Sequence, residues 1–385
     1  LADITWSADY PIGAGRGRTP SCCEIGDNKS VLFYYQPPLQ AGWGVVGTIA
    51  GGAISYGVPS AFCVDCYPVV DPFSGCRIGD DKVFVVYLDN ADDNYYGRVG
   101  IITGTTIAWG PAVELFATIP NNEPLHPSCF AVSSDKIVTF AEDGGFIGSK
   151  KGYFTVCRIA GNNISGVGPM TQLPPVGGNR TPRSIGVRLV DDKFAAIVTD
   201  DFFNNVHVFV GTVAGLTPSY GAVIDVDPLA WGTCHMLGIE AMSSDKVVVS
   251  WGDIGMGDRG RLSIATISGT AITMGGKYTI APYIQSYIRN VLKIDDTHFL
   301  VLYRTPAGTY TRYCLVSGTQ ITIGDADLFY LDVGGDFTRD PDMALVKHGR
   351  PIVVWYGNLA ATTYRTRYGG ITVAPLVTTN PATRS

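Results

Sequence analysis

Charge is what this sequence has little of. Asp, Glu, Lys and Arg together make up 16% of the 385 residues, against the usual quarter. There is no Lys/Arg run, and the net charge is −6. A nucleic-acid binder needs a concentrated basic surface to displace counterions, so that class is excluded. No stretch approaches the roughly 20 apolar residues of a membrane-spanning helix, so membrane insertion is not expected. The opening LADITWSADY has no charged n-region and no apolar core, so no signal peptide is expected there. HExxH, GxSxG, P-loop and helix-opening GxGxxG motifs are all missing, so no catalytic residue and no cofactor are assigned. A sustained 3.6-residue apolar period is missing too, so helix should be scarce.

Cysteine is present in an odd number, nine, so the thiols cannot all pair within one chain. Cys22, Cys76 and Cys129 fall at similar places in their segments, as do Cys157 and Cys314. That recurrence reads as small buried hydrophobes. Cys63 and Cys66 form a CxxC, which lacks the two further ligands of a zinc site and reads as free thiols or a local disulfide.

The dominant feature is an internal repeat. A polar turn followed by an apolar run recurs as DNKSVLFYY, DDKVFVVYL, SDKIVTFAE, DDKFAAIVT, SDKVVVSWG, DTHFLVLYR and HGRPIVVWY. The turn cation is Lys29, Lys82, Lys136, Lys193, Lys246, His298 and Arg350, at intervals of 53, 54, 57, 53, 52 and 52. A second element follows each one, such as GIITGTTIAWG or ATISGTAITMGG. It reads as strand, Gly turn, strand, the glycine supplying positive φ. Each copy therefore predicts four short strands.

A four-stranded sheet of about fifty residues cannot bury both faces alone, whereas radial stacking covers both. The nearly continuous apolar second strands fit a strand covered on two sides. The expected fold is all-β: a seven-bladed β-propeller with four antiparallel strands per blade, filling 1–385 as one domain. The expected repeats are 13–63, 64–118, 119–173, 174–228, 229–280, 281–331 and 332–379. Residues 1–12, which resemble an outer strand, are expected to close the ring. The last copy's own ITVAPLVTT is the competing candidate.

In such a propeller the turns between first and second and between third and fourth strands share one face. They are monotonous here. The remaining loops vary, and variable loops on a rigid frame carry recognition. Before the first strands stand Arg18, His126, Arg183, His235, Arg289 and Arg339, with Asp71 in the second copy. Ending the second strands are Asp89, Asp143, Asp200 and Asp253. Tyr35, Tyr95, Tyr96, Phe202, Phe203, Trp251 and Trp355 flank them. A basic ring with acids and aromatics outside it could bind sugar hydroxyls and stack on sugar rings. The competing reading is inter-blade ion pairs and core-capping aromatics. Asp89, Asp92 and Asp93 are a calcium candidate without EF-hand spacing.

The repeat, as in IGDDKVFVVYLD with GRVGIITGTTIAWG and SSDKVVVSWGD with GRLSIATISGTAITMGG, resembles one in propeller domains of bacteriophage tail and virion proteins and related bacterial surface proteins. The resemblance covers essentially the whole chain. It implies a non-catalytic role, either recognition and adhesion or a structural virion component docking a neighbouring protein, virion-associated or extracellular, within a larger assembly. The partner would be a glycan or other host-surface molecule, or a neighbouring virion protein. A polysaccharide-acting enzyme, with carboxylates converging from distant blades, is the remaining alternative.

Overall fold

The computed structural model describes residues 3–6, 10–14, 20–26, 28–36, 39–50, 53–66, 73–116, 127–142, 151–173, 184–200, 205–226, 237–253, 259–280, 287–305, 308–331, 342–346, 350–356 and 363–372. All the regular structure in them is β, in antiparallel sheets. Six sheets are each cut from one contiguous stretch and form blades 1 to 6. Their inner strands are Ser21–Glu24, Phe73–Gly79, Ser128–Ala131, Ser184–Val190, Leu237–Ser243 and Tyr287–Lys293. Blade 2 shows the plan. Phe73–Gly79 pairs with Lys82–Leu88, which pairs with Tyr95–Thr103, and Thr106–Trp109 and Val113–Phe116 form the outer edge.

The turn cation opens the second strand in every copy: Lys29–Gln36, Lys82–Leu88, Lys136–Glu142, Lys193–Asp200, Lys246–Asp253, His298–Thr305 and Arg350–Tyr356. The residue before it explains why the turn repeats. The carbonyls of Asn28, Asp81, Asp135, Asp192, Asp245 and Thr297 accept the N–H groups of Ile49, Ile102, Ile159, Val213, Ile267 and Val316 at 2.7–2.8 Å. Each first turn is thereby tied to the end of the third strand. On that same side Gly104, Gly161, Gly215, Gly269 and Gly318 hold φ of 61–65°, a left-handed conformation open to glycine at little cost.

Along a second strand, alternate side chains enter different interfaces. Val31, Phe33 and Tyr35 of blade 1 meet Val83, Val85 and Tyr87 of blade 2 in one core, while Phe84, Val86 and Leu88 enter the next. Five such cores join blades 1 to 6 in succession. Both faces of the second strands of blades 1 to 6 are dry, and each fully buried Val or Phe contributes about 1.5–3 kcal/mol.

In blades 1 to 5 a glycine ending the outer strand sets the spacing between blades. A Cβ on Gly57, Gly110 or Gly168 would lie 1.9–2.0 Å from the backbone oxygen of Thr105, Asn162 or Leu216 in the next blade. At Gly221 and Gly275 the neighbours are Thr270 and Thr319. The N–H of each glycine donates to its own third strand, at 2.7–2.9 Å.

Against seven expected equivalent blades, six are contiguous. The last repeat supplies only Asp342–Val346, Arg350–Tyr356 and Thr363–Thr372 to a composite sheet. Two strands from the other end of the chain, Asp3–Trp6 and Tyr10–Ala14, pair with Thr363–Thr372. Ile371 and Thr372, which open ITVAPLVTT, belong to this third strand and pair with Ile4 and Asp3. They do not start an outer strand of their own. The strand Asp342–Val346 lies beside the inner strands of blades 1 and 6.

Candidate functional site

The side carrying the short turns is scaffold. Several of its charges tie neighbouring blades together. Lys136 Nζ bonds both oxygens of Asp192 at 2.8 Å, Arg77 bonds Glu24 at 2.8 Å, and the Lys29 ammonium donates to Gly104 O at 3.2 Å. Lys293 Nζ donates to Met242 O at 2.6 Å.

The opposite side is the one expected to carry the site residues. Arg18, Asp71, His126, Asp143, Arg183, Phe202, Phe203, His235 and Arg339 lie outside the described residues. Arg289, Asp200, Asp253 and Trp355 are placed as backbone positions in strands. Three aromatics do not form a surface. Trp251 is fully buried in the core between blades 4 and 5. Tyr35 is buried between blades 1 and 2. Tyr95 is 1% exposed and donates its hydroxyl to Glu142 O at 3.1 Å. The expectation that Trp251 and Tyr95 stack on a ligand is corrected: each points into an inter-blade core.

At the calcium candidate the carboxylates are already engaged within the loop. Asp89 Oδ1 accepts the Ala91 N–H at 2.9 Å, and Asp92 Oδ1 accepts the Asn94 N–H at 3.1 Å. Tyr96 donates its hydroxyl to Asp92 Oδ2 at 2.6 Å. Asp93 turns the chain with φ 56°. The carboxylates of Asp89 and Asp92 thus shape the loop itself, and no group of three metal-capable side chains occurs among the described residues. Burial pushes the Asp89 carboxyl up, reinforced by the Asp92 and Asp65 charges and opposed by the Ala91 N–H. The Tyr96 hydroxyl is pushed up to about 12, chiefly by its bond to Asp92.

A further loop-side feature escaped sequence reasoning. Trp43, Tyr96, Tyr153, His207, Arg261 and Tyr310 occupy one register position on the third strands. They lie opposite Tyr34, Tyr87, Ala141, Val198, Trp251 and Tyr303. All but His207 are partly exposed. Tyr96 stacks on Tyr87 with centroids 6.1 Å apart, and Tyr310 on Tyr303 at 5.6 Å, with the Arg312 guanidinium 5.8 Å from the Tyr303 ring. His207 Nδ1 is 2.6 Å from Asp225 Oδ1. The spacing was available: Tyr96, Tyr153, His207, Arg261 and Tyr310 each stand eight residues before Gly104, Gly161, Gly215, Gly269 and Gly318.

Cys63 and Cys66 are free, buried thiols. Backbone pairing of Cys66 with Asp89, and the Asn90 Nδ2 bond to Asp65 at 3.0 Å, fasten blade 1 to the second blade's loop.

No protein-family description matches the chain, and no curated protein matches it. Solved structures do. A protein from Lactobacillus plantarum is 13% identical over 90% of this chain and 95% of its own, with a TM-score of 0.60. A protein of unknown function from Dyadobacter fermentans is 13% identical over 96% and 99%, with a TM-score of 0.57. The β-propeller domain of the trilobed protease from Pyrococcus furiosus, described as having an open velcro topology, is 10% identical over 94% and 97%, with a TM-score of 0.51. The fold is a β-propeller. At such identities the propeller likeness reaches the fold alone. None of these three is described as a bacteriophage or virion protein.

Proposed function

We propose that this propeller is a non-catalytic recognition module that binds a glycan or another surface ligand through its variable-loop side. The observation that carries the reading is the partly exposed third-strand series: Trp43, Tyr96, Tyr153, Arg261 and Tyr310 at one register position of successive blades. Aromatic faces with a polar tip are suited to sugar rings and to cationic side chains. The opposite side repeats one set of backbone ties and has little variety to offer a ligand. The setting we favour is an extracellular or virion surface within a larger assembly, where weak sites gain by avidity.

The test is binding of the purified protein to a glycan array and to cell-surface fractions, followed by Tyr96→Ala and Tyr310→Ala. Each substitution should weaken binding roughly five- to tenfold, since one stacking contact contributes about 1–1.5 kcal/mol. Each variant also loses a ring packed against an inter-blade core, so it should stay folded but melt somewhat lower, and binding is compared well below that temperature. Absence of binding to any glycan or surface fraction overturns the reading, and turnover of a polysaccharide would replace it with the enzymatic one.

We infer further that the composite sheet serves as a seventh blade and closes the ring. Its support is the pairing of Asp3–Trp6 and Tyr10–Ala14 with Thr363–Thr372, together with the place of Asp342–Val346 between blades 1 and 6.

A further inference from the structure

Two thiols pack against the same core between blades 2 and 3. Cys76 lies on the inner strand of blade 2, buried in the core shared with blade 3. Cys129 lies on the inner strand of blade 3 and packs against the same core from the other side, partly exposed. The Cys129 side chain beside it helps to hold the Cys76 thiol protonated. Cys129 Sγ also donates to Ser74 O at 3.4 Å and lies 3.9 Å from Ser74 Oγ, which orients it along the blade 2 strand. We propose that Cys76 and Cys129 are a cross-blade modification site, joined as a disulfide by exchange with a small-molecule disulfide such as oxidised glutathione.

The order of steps follows from burial. Burial holds the Cys76 thiol well above its ordinary range, so it is the poorer nucleophile. Cys129 has the open side. Its thiolate attacks the small disulfide, forms a mixed disulfide and releases one small thiol. The Cys76 sulfur, losing its proton to solvent, then displaces the second small thiol and forms the protein S–S bond. Two protein thiols are oxidised and one small disulfide is reduced to two thiols, so atoms and electrons balance.

The sequence distance gives the bond its effect. Cys76 and Cys129 are 53 residues apart. Closing so long a loop restricts the unfolded chain far more than closing the four-residue turn of Cys63 and Cys66. In a repeat array each unit contacts only its neighbours, so the bond would clamp one interface.

The test incubates the folded, full-length protein with oxidised glutathione. Remaining thiols are blocked, and the peptides are mapped by mass spectrometry without reduction. The expected result is a linked peptide joining Cys76 to Cys129, together with a melting temperature a few degrees above that of the reduced protein. Both should vanish in Cys129→Ser and persist in Cys63→Ser. If Cys129→Ser does not fold, Cys76→Ala serves in its place. Glutathione attached to Cys129 with no linked peptide overturns the proposal, and so does a link from Cys76 to Cys23.

Discussion

At the residue scale, one carboxylate makes stability depend on pH. Glu240 sits on the inner strand of blade 5 beside Lys293 of blade 6. Burial pushes its carboxyl up from 4.5 to about 7, against the pull of the Lys293 charge and N–H. The folded protein therefore holds a proton that the unfolded chain gives up between pH 4.5 and about 7. The folded state binds more protons in that window, so stability falls as pH rises through it and stays reduced above it. The residue retains some exposed surface, so the loss should be on the order of 1–2 kcal/mol, smaller than the full shift implies. Glu240→Gln should unfold at a higher temperature than wild type at pH 8 and show little difference at pH 4.5. Equal differences at both values would mean that the proton plays no part.

The residue scale is also where sequence reading was weakest. Trp251 and Tyr96 are both aromatic residues near loop-side strand ends, yet one is enclosed and the other partly exposed. What separates them is which strand they stand on. A second strand is covered on both sides by neighbouring blades, so its aromatics are core. A third strand lies farther out, and its first residues divide by face: Tyr95 enters the core shared with blade 3, while Tyr96 on the other face meets less cover. Composition and position in a loop-flanking run do not carry that distinction.

At the scale of elements, the repeat was legible because backbone geometry forces it. The polar turn recurs because a carbonyl must reach the third strand, and the turn glycines because their φ is positive. The glycine after each outer strand was visible in the sequence too, but its role depends on a neighbour some fifty residues away. Its cost can be measured. Gly168→Ala puts a Cβ 2.0 Å from the Leu216 carbonyl oxygen, a backbone atom that cannot step aside alone. It should destabilise the protein by about 2 kcal/mol or more. At Gly276 the nearest atoms to a Cβ are on the Tyr278 side chain at 3.7–3.8 Å, so Gly276→Ala should be close to neutral. Chemical denaturation of the pair distinguishes close packing from loss of a flexible glycine, because loss of flexibility alone would move both variants alike.

At the scale of the whole molecule, the question is what holds the two ends of the array. In a stacked repeat protein the terminal units have one neighbour each, and an open end exposes a sheet edge. Here Asp3–Trp6 and Tyr10–Ala14 cover the edge strand Thr363–Thr372. If that sheet closes the ring, it couples blade 6 to blade 1, and unfolding should be a single transition. Removing residues 1–14 leaves the Thr363–Thr372 edge without those partners. The truncated protein should then melt at a lower temperature in a broader transition, and self-associate through the bare edge. A synthetic peptide of residues 1–14, added in excess, should restore the sharp transition by binding the folded form. A control peptide with the same composition in scrambled order should not. If the truncated chain melts as sharply and as high as the intact one, the N-terminal strands are an ornament on the last sheet. The six contiguous blades would then be held by their five inter-blade cores alone.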